Sequence, residues 1–118
     1  MNHLTTIQPV SKMHSYELMH NNCYVKNGQA MYRDYTQDVT LNEYIRSVCR
    51  AYNVYTPDND ERLAWAMYDR LEYDKDDSIQ YLIALLYAMM WSKADLYEHL
   101  KRYEALDPVV NEAEGDKE

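Results

Sequence analysis

Residues 81–91, YLIALLYAMMW, form the longest unbroken apolar and aromatic run of the chain. Ala, Leu and Met dominate it and β-branched residues are nearly absent, so the run predicts a helix rather than a strand. A helix apolar on every side has no wet face, and the expected position is the centre of the fold, with other elements around it. Crossing a membrane as a helix takes about 20 apolar residues. This run is shorter and sits between Asp74, Asp76 and Asp77 on one side and Lys93 and Asp95 on the other, so no membrane role is expected.

Two amphipathic segments precede it. In residues 41–53, Leu41, Tyr44, Ile45, Val48, Cys49 and Tyr52 recur at helical spacing, while Glu43, Arg46, Ser47 and Arg50 share the other side. Thr40 and Glu43 make a capping box at its start. The next helix, 57–74, can begin from Thr56 with Pro57 in the first turn, or from Asp58 with Glu61 three residues on. Leu63, Ala64, Met67, Tyr68 and Leu71 mark its predicted inner side. Trp65 falls outside that set, among Asp58, Glu61, Asp69, Glu72 and Asp76, with Arg62 near the edge.

The last helix opens at Asp77 or Ser78. Neither Gly nor Pro interrupts it at Ser92, so a continuous helix to residue 106 is expected. Leu96, Leu100 and Tyr103 are predicted inside, with Asp95, Glu98, Lys101, Arg102 and Glu104 wet. Asp107-Pro108 ends it, and 108–118 is an acidic tail.

Upstream, residues 1–14 read as an arm docked by Leu4, Ile7 and Val10. A short helical turn capped by Ser15 is stopped by Asn21-Asn22. Asn27-Gly28 between 23–26 and 29–32 predicts a β-hairpin, because Asn-Gly tolerates the positive φ of a type I′ turn. An isolated two-stranded ribbon is marginal in water, so the hairpin must pack on helices or gain a third strand. The fold class expected is mainly α (α+β): three or four helices packed around a central apolar helix, with an N-terminal hairpin, in one domain over 15–107.

Charge changes the functional picture more than the fold. The chain has 118 residues, a net charge of -8 and a sequence pI near 4.9. Residues 1–39 balance three basic against three acidic groups, 40–75 carry five against seven, and 76–118 four against ten. Such a field repels phosphate and attracts basic partners. A helix-turn-helix over 41–53 and 57–73 would present acids where bases are needed, and only Lys26, Arg33, Arg46 and Arg50 form a residual basic patch. Direct nucleic-acid binding is not expected. Two cysteines without framework spacing, and no leader pattern, point to a reducing cytoplasm. Thirteen Tyr with no Phe suit half-buried sites and contact surfaces.

The chemistry of the side chains excludes more than it offers. Gly28 and Gly115 are the only glycines, which removes glycine-rich phosphate loops. The clustered acids coincide with helix starts, where capping and the helix dipole account for them. His14, His20 and Cys23 lack a second ligand pair for zinc. No catalytic residue, metal or cofactor is expected, and the chain is not read as an enzyme.

The surface that remains is Trp65 with Glu61, Asp69, Glu72 and Asp76. An aromatic anchor ringed by carboxylates is suited to a basic protein partner, and it implies a small acidic cytoplasmic adaptor or inhibitor. In the competing reading the arm or hairpin folds over Trp65. Two alternatives have different chemistry: an acidic DNA mimic of the antirestriction or anti-CRISPR type, suggested by charge and size alone, and a self-associating protein whose apolar run continues into a homodimer.

Overall fold

The computed structural model describes residues 4–6, 10–34, 37–73 and 78–106. After a single 3-10 turn at Val10–Lys12, the elements are α1 (Ser15–Asn21), β1 (Cys23–Lys26), β2 (Gln29–Arg33), β3 (Asp38–Thr40), α2 (Leu41–Ala51), α3 (Asp60–Tyr73) and α4 (Ile79–Leu106). The architecture is mainly α with a small antiparallel sheet in the order β1-β2-β3. Asn27 and Gly28 both take positive φ, 53° and 75°, and this turn sets the register Cys23↔Tyr32 and Val25↔Ala30. The ribbon gains the strand it needs from Asp38–Thr40, which pairs Met31 with Thr40 and Tyr32 with Val39.

Local chemistry sets the helix boundaries. Thr40 Oγ1 accepts from the Glu43 amide at 3.2 Å, whereas the Glu43 carboxylate turns to Arg46 instead of closing the predicted box. Helix α2 ends in a Schellman motif: Val54 N–H donates to Cys49 O and Asn53 N–H to Arg50 O, with Asn53 left-handed at φ 59°. Neither predicted start of the next helix is used. Asn59 caps it, its side chain accepting from Arg62 N at 3.0 Å, and the helix begins at Asp60. At α1 the cap is His14 rather than Ser15, which is already helical. Ser78 Oγ accepts from Tyr81 N and opens α4, a helix of 28 residues that runs unbroken through Ser92.

The core joins one face of each long helix to the sheet: Leu41, Ile45 and Cys49 from α2, Leu63 and Met67 from α3, Ile83, Ala84, Tyr87 and Ala94 from α4, and Cys23 and Ala30 from the strands. Helix α4 is not surrounded. Within its apolar run, Ile83, Ala84 and Tyr87 are buried, while Leu82, Leu85, Leu86 and Met89 lie on the outside, Met89 at 62% exposure. Three shorter helices and a three-stranded sheet cover only one side of a rod about 42 Å long, taking about 1.5 Å of rise per residue.

The same geometry corrects the predicted phase beyond Ser92. An unbroken helix carries its buried face onward from Ile83 and Tyr87 to Ala94, Tyr97 and Glu104, so Leu96 (67% exposed) and Tyr103 turn outward. Glu104, expected wet, is buried because it holds the N-terminal arm: its carboxylate accepts from Leu4 N and Thr5 Oγ1, both at 2.7 Å, and from Thr5 N at 3.4 Å. Asn21, fully buried, holds the next residues by accepting from Thr6 N and donating to Leu4 O, each at 2.8 Å. Ile7, predicted to help dock the arm, lies outside the described residues.

Tyr52 and Tyr68, expected inside, are also exposed. Arg46, expected outside, is buried. It closes the α2–α3 connection by donating to Asp58 O at 2.9 Å, Asp60 Oδ1 at 2.7 Å and Glu43 Oε1 at 3.0 Å, with longer bonds to Pro57 O. Its long stem packs inward while the guanidinium donates to the loop carbonyls of Pro57 and Asp58.

Candidate functional site

Helix α3 packs Leu63 and Met67 fully into the core. At 100° per residue the opposite side belongs to Trp65, with Glu61 one turn before it and Asp69 and Glu72 one and two turns after. Trp65 is 63% exposed, and all three carboxylates are exposed with it. Neither the described arm nor the hairpin covers the indole. Asp76, the remaining predicted member, lies outside the described residues. The ion pairs among the described residues join Arg46 to Glu43 and Asp60, which leaves Glu61, Asp69 and Glu72 outside any ion pair there.

Tyr68 joins this face, although its spacing predicts the inner side. It lies one turn beyond Trp65 and borders a cleft of about 300 Å³ between the hairpin tip, the start of α2, α3 and α4. Asp60, Glu61, Tyr87 and Trp91 also line that cleft. A second hollow of about 260 Å³ continues along the α3–α4 seam past the same Tyr68, Tyr87 and Trp91. Tyr87 donates to Asn42 Oδ1 at 2.8 Å, which ties α4 to α2 and fixes the cleft wall. Burial pushes the Tyr87 hydroxyl up from its ordinary pKa. Only assembled neighbours define this cleft, and no spacing within one segment signals it.

Elsewhere the geometry engages the groups with reactive potential. Arg33 donates from Nε to Asn21 O at 2.6 Å and from Nη2 to Tyr97 OH at 3.3 Å, with its guanidinium 4.3 Å from the Tyr24 ring centre. With Arg46 also engaged, two of the four cations of the residual basic patch serve internal bonds. The Arg46 guanidinium is held charged: burial works against it, but the Asp60 and Glu43 carboxylates outweigh burial and raise its pKa. Cys23 and Cys49 are buried free thiols, and burial pushes both above the usual thiol range, away from nucleophilic reactivity. Among the described residues no three His, Cys, Asp or Glu side chains converge as a metal site, and no helix is long and apolar enough to cross a membrane.

Comparison with protein-family models, with curated proteins and with solved structures returned no match to this chain.

Proposed function

We propose that this protein is a small acidic binding module that holds a basic protein partner on the outer face of α3. The observation that carries the reading is Trp65, 63% exposed on the side of α3 opposite Leu63 and Met67. A large aromatic side chain left in water by its own fold is the residue type most enriched at binding hot spots. Glu61, Asp69 and Glu72 around it supply steering and specificity toward positive charge. Tyr68 and the neighbouring cleft offer a pocket beside the anchor, walled partly by Glu61, into which a partner's Arg or Lys could reach. A reducing, cytoplasmic setting belongs to the same proposal, and the two free buried thiols support it.

The test is affinity capture from the native host with wild type and Trp65→Ala in parallel. Because the indole is mostly in water already, the substitution is expected to move the thermal midpoint by less than about 2 °C, in line with exposed-site substitutions generally. Capture of the partner should fall at least tenfold. Equal recovery by both proteins rules out Trp65 as the anchor, and a large loss of stability returns it to the core. Capture that DNA competes away, and that weakens with salt, selects the DNA-mimic form of the reading.

A further inference from the structure

The outer face of α4 carries an apolar seam that the other described elements leave largely uncovered, with α1 bordering it at Lys93 and Leu100. Leu82, Met89, Leu96 and Tyr103 recur every seven residues, each well exposed. Ile79, Leu86, Lys93 and Leu100 fill the alternate positions, giving the three-four spacing of a helix that packs lengthwise on another helix. The exposed fractions of Ile79, Leu82, Leu86, Met89, Leu96 and Tyr103 correspond to about 600 Å² per chain, the upper end of the patch of about 300–600 Å² that a typical monomer leaves open. A standard stable interface takes about 800 Å² per partner, so the seam supplies most of that area and its polar rim the remainder.

We propose that the occupant is a second copy of this chain, pairing antiparallel along α4. Lys93 decides the orientation. In a parallel pair each seam residue meets its own copy, which sets two Lys93 ammonium groups against each other in an apolar contact. Antiparallel, with Leu86 of one copy on Leu96 of the other, Leu82 falls on Leu100 and Ile79 on Tyr103, and Lys93 falls on Met89. The lysine stem then covers the thioether while the ammonium reaches the rim. Antiparallel packing also sets the helix dipoles head to tail. The proposal depends on α4 alone and stands or falls independently of Trp65.

Sedimentation equilibrium of the full chain across the micromolar range tests it, with circular dichroism as the control for folding. Wild type is expected at twice the 14.1 kDa chain mass. Met89→Lys sets a second ammonium group against Lys93 of the other copy and should raise the dimer Kd by about 100-fold or more, since like charges facing each other in an interface cost several kcal/mol. Adding Lys93→Glu to that variant creates two opposite-charge pairs in the antiparallel register and like-charge pairs in a parallel one, so the double variant should regain the dimer. A monomeric wild type overturns the proposal and leaves the seam to a different partner. A dimer that Met89→Lys does not weaken overturns it by locating self-association on another face. A double variant weaker than Met89→Lys alone overturns the antiparallel register.

Discussion

Glu104→Gln perturbs one buried carboxylate and reports on the whole docking of the N-terminal arm. Glu104 is 3% exposed and accepts from Leu4 N on one oxygen and from Thr5 N and Oγ1 on the other. The amide keeps the size of the side chain, and its oxygen can still accept from Thr5. Its nitrogen then faces Leu4 N, donor against donor. The loss is therefore one charge-assisted hydrogen bond plus weakening of a second, about 2–3 kcal/mol for groups held out of water. Asn21 still holds Thr6 N and Leu4 O, so the arm opens locally while the core remains folded. At about 1.4 kcal/mol per tenfold, native-state hydrogen exchange at the Leu4 and Thr5 amides should accelerate roughly 30- to 100-fold. Thr6 should change less. The thermal midpoint should fall by less than about 5 °C, because the cooperative unit that melts does not include the arm. Unchanged exchange at Leu4 and Thr5 would refute the assignment of Glu104 as the anchor. So would exchange of these amides in step with β2, since the arm would then not open as a separate unit.

Two further predictions concern groups fixed by the fold. Arg46→Met should destabilise the domain by about 1–3 kcal/mol in urea denaturation, chiefly by leaving the Pro57 and Asp58 carbonyls without their donor; the two carboxylates it pairs with are more than half exposed and contribute little, and a loss under about 0.5 kcal/mol would show that water replaces the guanidinium at no cost. Tyr24 should titrate at about 12, raised by burial and by its hydrogen bond to Asp38. The folded state thus prefers the protonated phenol, and the stability it contributes is intact below the ordinary value of 10.0 and lost as pH rises through about 12. A tyrosinate-absorbance titration of wild type minus Tyr24→Phe should lack any component near the ordinary value.

What is legible in the chain and what is not divides along a physical line. Asn27-Gly28 specifies its turn, Thr40 its cap and Ser78 the opening of α4, because each acts on backbone groups within a few residues of itself. The composition at Trp65 is legible for the same reason: a helix wheel separates it from Leu63 and Met67 whatever the rest of the chain does. The inner face of α4 is not legible. In an all-apolar run periodicity is silent, and beyond Ser92 the spacing of Leu96, Leu100 and Tyr103 marks a different side from the buried Ala94, Tyr97 and Glu104. Arg46 and Glu104 escape a reading by polarity because their partners, the Pro57 and Asp58 carbonyls and the Leu4 and Thr5 donors, are brought to them by folding.

Local chemistry along the chain is enough to establish the elements: helices where apolar residues recur at helical spacing, a hairpin where Asn-Gly forces a positive-φ turn, and an acidic surface around a tryptophan. These follow from local sterics, backbone hydrogen bonding and net charge, which need no distant partner. Which side of α4 faces inward is settled only by packing. It depends on how much surface three shorter helices and a small sheet can cover, and they cover one side. The residues 81–91, expected to be enclosed, therefore present Leu82, Leu85, Leu86 and Met89 to water, and the most hydrophobic stretch of the chain supplies part of its outer surface.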